Sequence, residues 1–212
     1  MKQSKKGNIW IILGLVLIVA ALFLTGYNWM ESRQAGEASF EQAAQLEQEI
    51  EEKRQDMLSL SDTQPDIPDY QINPDMDMPT KKIEGIEYIG ILEIPTLGLK
   101  LPVAAQLTYP HLRKAPCCYE GTIYQNNMVV AAHNYQSHFG NIKNMQIGDT
   151  VLFTDMDGNT FSYQMVGLEI LQPTDIEGMK AGDCDLTLFT CTLGGAERVT
   201  VRLERTADLQ ER

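Results

Sequence analysis

The apolar residues of this chain keep three different periods in turn. From Ile9 to Thr25 they run almost without interruption, inside an uncharged stretch from Gly7 to Met30. A helix needs about 20 apolar residues to cross a bilayer core, and this run supplies them. From Ala38 to Leu60 the chain is rich in Glu, Gln and Ala, and Ala43, Leu46, Ile50, Met57 and Leu60 fall on a stripe of three- and four-residue steps. That spacing predicts an amphipathic helix, with Lys53 interrupting the stripe. A charged seam position makes it a weak coiled coil, so a helical stalk or a helix packed on its own domain is expected. Ser61 to Lys82 carries Pro65, Pro68, Pro74 and Pro79 among Asp, Gln and Asn, which predicts an extended spacer.

From Ile83 the pattern changes to short β-type runs with turn signals between them, which predicts an all-β sandwich or barrel. Tyr88 to Ile94 reads as one strand, and Met128 to Ala132 as a short buried strand that ends on His133. Thr150–Thr154 and Phe161–Leu171 flank a hairpin turn centred on Asp157-Gly158. Leu186–Cys191 and Arg198–Leu203 form a last pair, joined by a turn that contains Gly194-Gly195. The chain thus divides into tip and anchor (1–30), helical stalk (31–60), extended spacer (61–82), β domain (83–206) and polar tail (207–212).

Charge refines this picture. The net charge of −12 argues against a nucleic-acid partner, which would call for a basic face. Lys2, Lys5 and Lys6 precede the apolar run, while Glu31, Glu37 and Glu41 follow it. The positive-inside rule then predicts a single-pass plasma-membrane protein with a cytoplasmic N-terminus and an extracellular β domain. Trp10, Tyr27 and Trp29 sit near the two ends of the run, where aromatic rings favour the membrane interface. No clear Ala-x-Ala site follows, so an uncleaved anchor is expected rather than a signal peptide.

The candidate chemistry lies with cysteine and histidine. An imidazole can move protons while a thiolate attacks a carbonyl. Cys191 ends a strand beside a glycine-containing turn, Arg198 opens the next strand, and His133 ends another, so all three are expected to converge at one edge of the sheet. Cys117, Cys118 and Cys184 read as small apolar residues, and no CxxC pair or HxxxH suggests zinc. His111 and His138 lack the strand-end setting of His133 and are assigned to loops. Asp155, Asp157 and Asn159 imitate the start of a calcium loop. However, the glycine falls at the fourth position rather than the sixth, and Val166 stands where the bidentate Glu belongs. A hairpin turn is the better reading.

Thr187-Leu188-Phe189-Thr190-Cys191 resembles the TLxTC motif of sortases, with an arginine on the following strand. The resemblance extends to Tyr88-Ile89-Gly90-Ile91-Leu92-Glu93-Ile94-Pro95, to Val129-Val130-Ala131-Ala132-His133-Asn134 and to Gly148-Asp149. It covers roughly Tyr88 to Arg205 in matching order. It implies an eight-stranded β-barrel with short helices and a surface transpeptidase whose chemistry needs no cofactor, and no motif here carries over a metal site. Cys191 would attack the Thr-x carbonyl of an LPxTG-like C-terminal sorting signal to give a thioester. His133 would shuttle protons, Arg198 would stabilise the oxyanion, and Thr190 would assist the oxyanion site. The acceptor would be a cell-wall peptidoglycan amine, and the N-terminal helix would hold the enzyme in the membrane. Pilus-building sortases often carry an Asp-Pro-aromatic lid and a second, C-terminal span. This chain has Pro68-Asp69-Tyr70 and only a short polar tail after Leu203, which disfavours that class. A cysteine hydrolase of the same fold and a catalytically silent binding module are the competing readings.

Overall fold

The computed structural model describes residues 5–60, 67–180 and 182–206. The chain forms two compact units, Met1–Gln34 and Ala35–Arg212. Helix α1, Lys5–Leu60, runs through the first and opens the second. In the first unit the large apolar side chains from Ile9 to Met30 are exposed, and the helix is long and apolar enough to cross a membrane. Met1–Ser4 of the expected tip, residues 61–66 of the expected spacer and the tail 207–212 lie outside the described residues. So do the side chains of Met57 and Leu60.

Among the described residues, the second unit is built on nine strands: β1 (Lys81–Ile83), β2 (Ile86–Ile94), β3 (Leu99–Ala104), β4 (Cys117–Glu120), β5 (Met128–Ala132), β6 (Thr150–Asp155), β7 (Thr160–Leu171), β8 (Leu186–Cys191) and β9 (Arg198–Arg205). Their order is β2-β3-β4-β5-β8-β9-β7-β6, and β6 pairs back onto β2 to close an eight-stranded barrel. β1 adds a short hairpin arm to β2. Closure depends on Gly90, where β2 serves both β3 and β6. A Cβ there would stand 2.2 Å from the Thr154 carbonyl oxygen and 2.7 Å from the Phe153 ring, so no side chain fits. The barrel interior is filled by alternate residues of every strand, among them Leu92, Val103, Val130, Phe153, Tyr163, Leu188 and Val201.

The amphipathic stripe of α1 finds its partner on the outside of this barrel. Within the second unit, Ala35, Ser39, Gln42, Ala43, Leu46 and Ile50 are buried, at helical spacing. Leu46 and Ile50 pack with Ile86, Tyr88, Ile91, Ala104, Cys117 and Met156. The Tyr88 hydroxyl donates to Gln42 Oε1 at 2.6 Å, and Lys81 pairs with Glu49 at 2.6 Å. From Ala35 onward the helix is therefore part of the domain. Leu46 is fully buried in this contact. Leu46→Ala is expected to lower the unfolding free energy by about 2–5 kcal/mol, read as a lower urea midpoint of the whole protein. An unchanged midpoint would show that the helix unfolds independently of the barrel.

The described part of the expected spacer is not extended throughout. Asp69–Ile72 forms a one-turn helix, α2, and Tyr70, Met76 and Met78 pack against the barrel core. Tyr70 stacks on Tyr124 at 5.0 Å and meets the edge of Phe161 at 5.2 Å. Gln125 Nε2 donates to Asp75 at 2.8 Å. Partial burial of these side chains favours the packed arrangement of the segment. The remaining helices are single turns, α3 (Tyr109–Leu112) and α4 (Ile176–Met179). His111 therefore sits in a helical turn rather than a loop.

Candidate active site

The site begins with the β8–β9 hairpin. Leu186 and Leu188 of β8 and Val199, Val201 and Leu203 of β9 point into the core. Strand alternation therefore puts Phe189, Cys191, Arg198, Thr200 and Arg202 on the outer face. The register sets Cys191 directly opposite Arg198. Gly194 and Gly195 take the positive φ values, +88° and +76°, that the connecting turn requires. The turn is closed by the Thr192 amide donating to the Glu197 carbonyl at 2.9 Å.

β5 lies parallel to β8 on the other side, with Ala132 opposite Thr190. Val129 and Ala131 belong to the outer face and pack with Phe189 and Met179. His133 continues that parity one step beyond Ala132, level with Cys191. Three adjacent strands, spaced about 4.8 Å apart, thus present His133, Cys191 and Arg198 side by side. The loops are tied together as well: Asn134 Nδ2 donates to the Thr192 carbonyl at 3.4 Å. The His133 ring is framed by Tyr109, edge-on at 5.8 Å, and by Tyr135 at 4.9 Å. These two tyrosines carry no sequence signal, because they approach the imidazole from opposite sides along the chain.

One of the expected site residues is placed differently from expectation, and another is held by contacts that the sequence does not announce. Thr190 is nearly buried, and its hydroxyl donates to the Ala132 carbonyl at 2.8 Å. That bond ties β8 to β5 just before His133, so the hydroxyl does not reach the outer face as oxyanion support requires. The cause is parity: Thr190 neighbours Cys191 and therefore points the other way. Arg198 does share the face of Cys191, but its Nη1 donates to the carbonyls of Gly195 and Glu197, each at 3.1 Å. The turn thereby orients the guanidinium and leaves its Nε and Nη2 donors for a ligand.

Arg202, farther along the same face, is held by other groups. It donates to Glu169 at 3.0 Å, to the Lys180 carbonyl at 2.7 Å, to Thr187 Oγ1 at 3.0 Å and to the Gly178 carbonyl. These bonds pin α4, whose Met179 covers Val129, Ala131 and Phe189 beside the site.

The other cysteines are unsuited to nucleophilic work. Cys117 lies under α1, and burial pushes its thiol up to about 12. Burial pushes Cys118 up to about 11, and also raises Cys184. Asp155 is buried in the β6–β7 turn, where it accepts from the amides of Asp157 and Asn159 at 2.9 Å and from the Tyr124 hydroxyl at 2.8 Å. This is the hairpin turn read from the sequence. Among the described residues, no group of three His, Cys, Asp or Glu side chains could hold a metal ion.

Comparison with curated protein sequences gives no match. Among solved structures, the chain is similar in fold to a sortase D5 transpeptidase of Clostridium perfringens, at 23% identity and a TM-score of 0.51 over 57% of this chain and 79% of that one. It is also similar to sortase C1 of Streptococcus suis, at 27% identity and a TM-score of 0.51 over 59% of this chain and 76% of that one. A further likeness is to Clostridium perfringens sortase C solved with the C-terminal cell wall sorting motif, at 25% identity and a TM-score of 0.51 over 79% of this chain and 91% of that one. The Sortase domain family model matches residues 92–206, more than half of the chain, and takes in all three strands that carry the site. With the closed barrel and the shared outer face already in place, that match completes the case, and the chain belongs to the sortase family.

Proposed function

We propose that this cysteine transpeptidase works through Cys191 as nucleophile, His133 as proton shuttle and Arg198 as oxyanion donor. The observation that supports this is the shared outer face, where register and parity align the three residues on neighbouring strands. The Cys191 thiolate attacks the Thr-x carbonyl of an LPxTG-like sorting signal, and Arg198 donates to the developing oxyanion. The C–N bond then breaks, His133 protonates the departing amine, and a thioester remains on Cys191. An acceptor amine of cell-wall peptidoglycan attacks the thioester, gives its proton to His133 and releases the thiolate.

The segment around Ile9–Met30 serves as the membrane anchor. The lysines before it favour a cytoplasmic N-terminus and an extracellular catalytic domain. A pilus-type lid over the thiol is not part of the reading. Tyr70 packs on Phe161 at the start of β7, whereas Cys191 and Arg198 lie level with Leu171 at its other end.

The full chain in detergent, given an LPxTG peptide, is expected to acquire the mass of an acyl adduct on Cys191. Added amine should then divert the product from carboxylate to amide. Carboxylate alone at every amine concentration would make the enzyme a hydrolase. An unmodified chain with no product would make it a binding module.

A further inference from the structure

We infer that Ser39 and His138 are positioning residues, through which the docked face of α1 sets the placement of His133. The inference rests on the catalytic role proposed for His133. Neither residue touches the reacting atoms, and they lie 99 positions apart in sequence.

The contact is built from the helix outward. Along the docked stretch α1 presents Ala35, Gly36, Ser39 and Ala43, small residues that allow close approach. At Gly36 the fit is tightest: a Cβ there would lie 2.7 Å from Ser137 Cβ. One turn on, the Ser39 hydroxyl donates its single proton to the Lys114 carbonyl at 2.5 Å. It stands 2.9 Å from His138 Nε2. With its proton already committed, the hydroxyl can only accept from that nitrogen, which fixes His138 as the Nε2–H tautomer. The His138 side chain is fully buried. Burial first, and then the nearby His133, push it down to about 4, so the ring stays neutral.

From His138 the contact continues to the catalytic loop. Its ring lies 5.5 Å from that of Tyr135, and the Tyr135 ring lies 4.9 Å from that of His133. The backbone repeats the connection. The amides of His138 and Gly140 both donate to the Tyr135 carbonyl, at 3.0 and 2.9 Å, and the Phe139 amide donates to the His133 carbonyl at 3.2 Å. Phe139 is itself fully buried in the barrel core. Residues 133–140 are therefore tied into one piece, gripped by the core at Phe139 and by the helix at Ser137 and His138. A catalytic group displaced by about 1 Å can lose on the order of 100-fold in rate, so this second grip bears directly on turnover.

The test uses the full chain in detergent with an LPxTG peptide and compares Ser39→Ala, His138→Phe, His138→Gln and His133→Ala. Ser39→Ala and His138→Phe are expected to lower kcat by about 10- to 100-fold, with KM changed less than twofold. The His133 limb of the pH–rate profile should shift in both. His138→Gln, which keeps an N–H for Ser39, should recover most of the loss. Ser39→Ala removes one atom and keeps the question open to measurement if His138→Phe does not fold. The inference is overturned if kcat falls only in proportion to the folded fraction, or if the pH limb stays in place. Full activity in His133→Ala would instead remove the catalytic reading itself, and this inference with it. An inactive His133→Ala beside an unaltered Ser39→Ala and His138→Phe would remove only the inference.

Discussion

Replacing Cys191 by alanine will abolish the acyl-enzyme, while Cys117→Ala, Cys118→Ala and Cys184→Ala will each retain it. The four thiols are all unpaired, so disulfide bonding does not separate them. Placement does. Cys117 is sealed between α1 and the barrel, and its Sγ donates to the Ala115 carbonyl at 3.5 Å. Cys118 is pushed up to about 11 by burial, which favours the neutral thiol. Cys191 alone stands on the outer face opposite an arginine. Loss of the nucleophile should reduce turnover by at least about 10⁴-fold, since the remaining groups can only bind and polarise. Intact mass spectrometry after mixing with a sorting peptide checks this directly. An adduct that maps to any other cysteine would sink the assignment.

Arg198→Ala is expected to lower kcat by about 100- to 1,000-fold, the usual cost of losing one oxyanion donor. Arg198→Lys should recover only part of it. The turn carbonyls of Gly195 and Glu197 hold one guanidinium nitrogen, and a single ammonium cannot keep those bonds and also present the planar fork of donors. Arg202→Ala should behave differently. Its guanidinium anchors α4 through two backbone carbonyls and pairs with Glu169. Its removal should therefore raise KM and lower the melting temperature, with a much smaller effect on kcat. Steady-state kinetics on the folded variants separates the two arginines. Near-normal turnover in Arg198→Ala would show that its role is confined to holding the turn.

Much of this was legible in the sequence, because alternation and turn chemistry are local. Met128–Ala132 and Leu186–Cys191 emerge with the boundaries that the apolar pattern predicts. The pairing of Cys191 with Arg198 follows from hairpin length and two glycines. What stayed hidden is what no local pattern encodes. The stripe on α1 allows packing on the domain but does not choose that over a free stalk. Tyr70 reads as one aromatic in a proline-rich stretch until Tyr124 and Phe161 meet it. His138 looks like an ordinary loop histidine, because its partner Ser39 lies far off in the chain.

The parallel pairing of β5 with β8 also makes completion of the catalytic centre a late step in folding. The β6–β7 and β8–β9 hairpins close through short turns, and such local contacts form fast. Ala132 and Thr190, by contrast, lie 58 residues apart, and the entropy of closing a long loop must be met before their strands reward it. A chain whose hairpins have formed but whose barrel is still open already holds the thiol beside its arginine. It lacks the imidazole that is proposed to protonate the leaving amine. On the roles proposed here, the half-assembled enzyme is expected to stay silent until β5 joins β8.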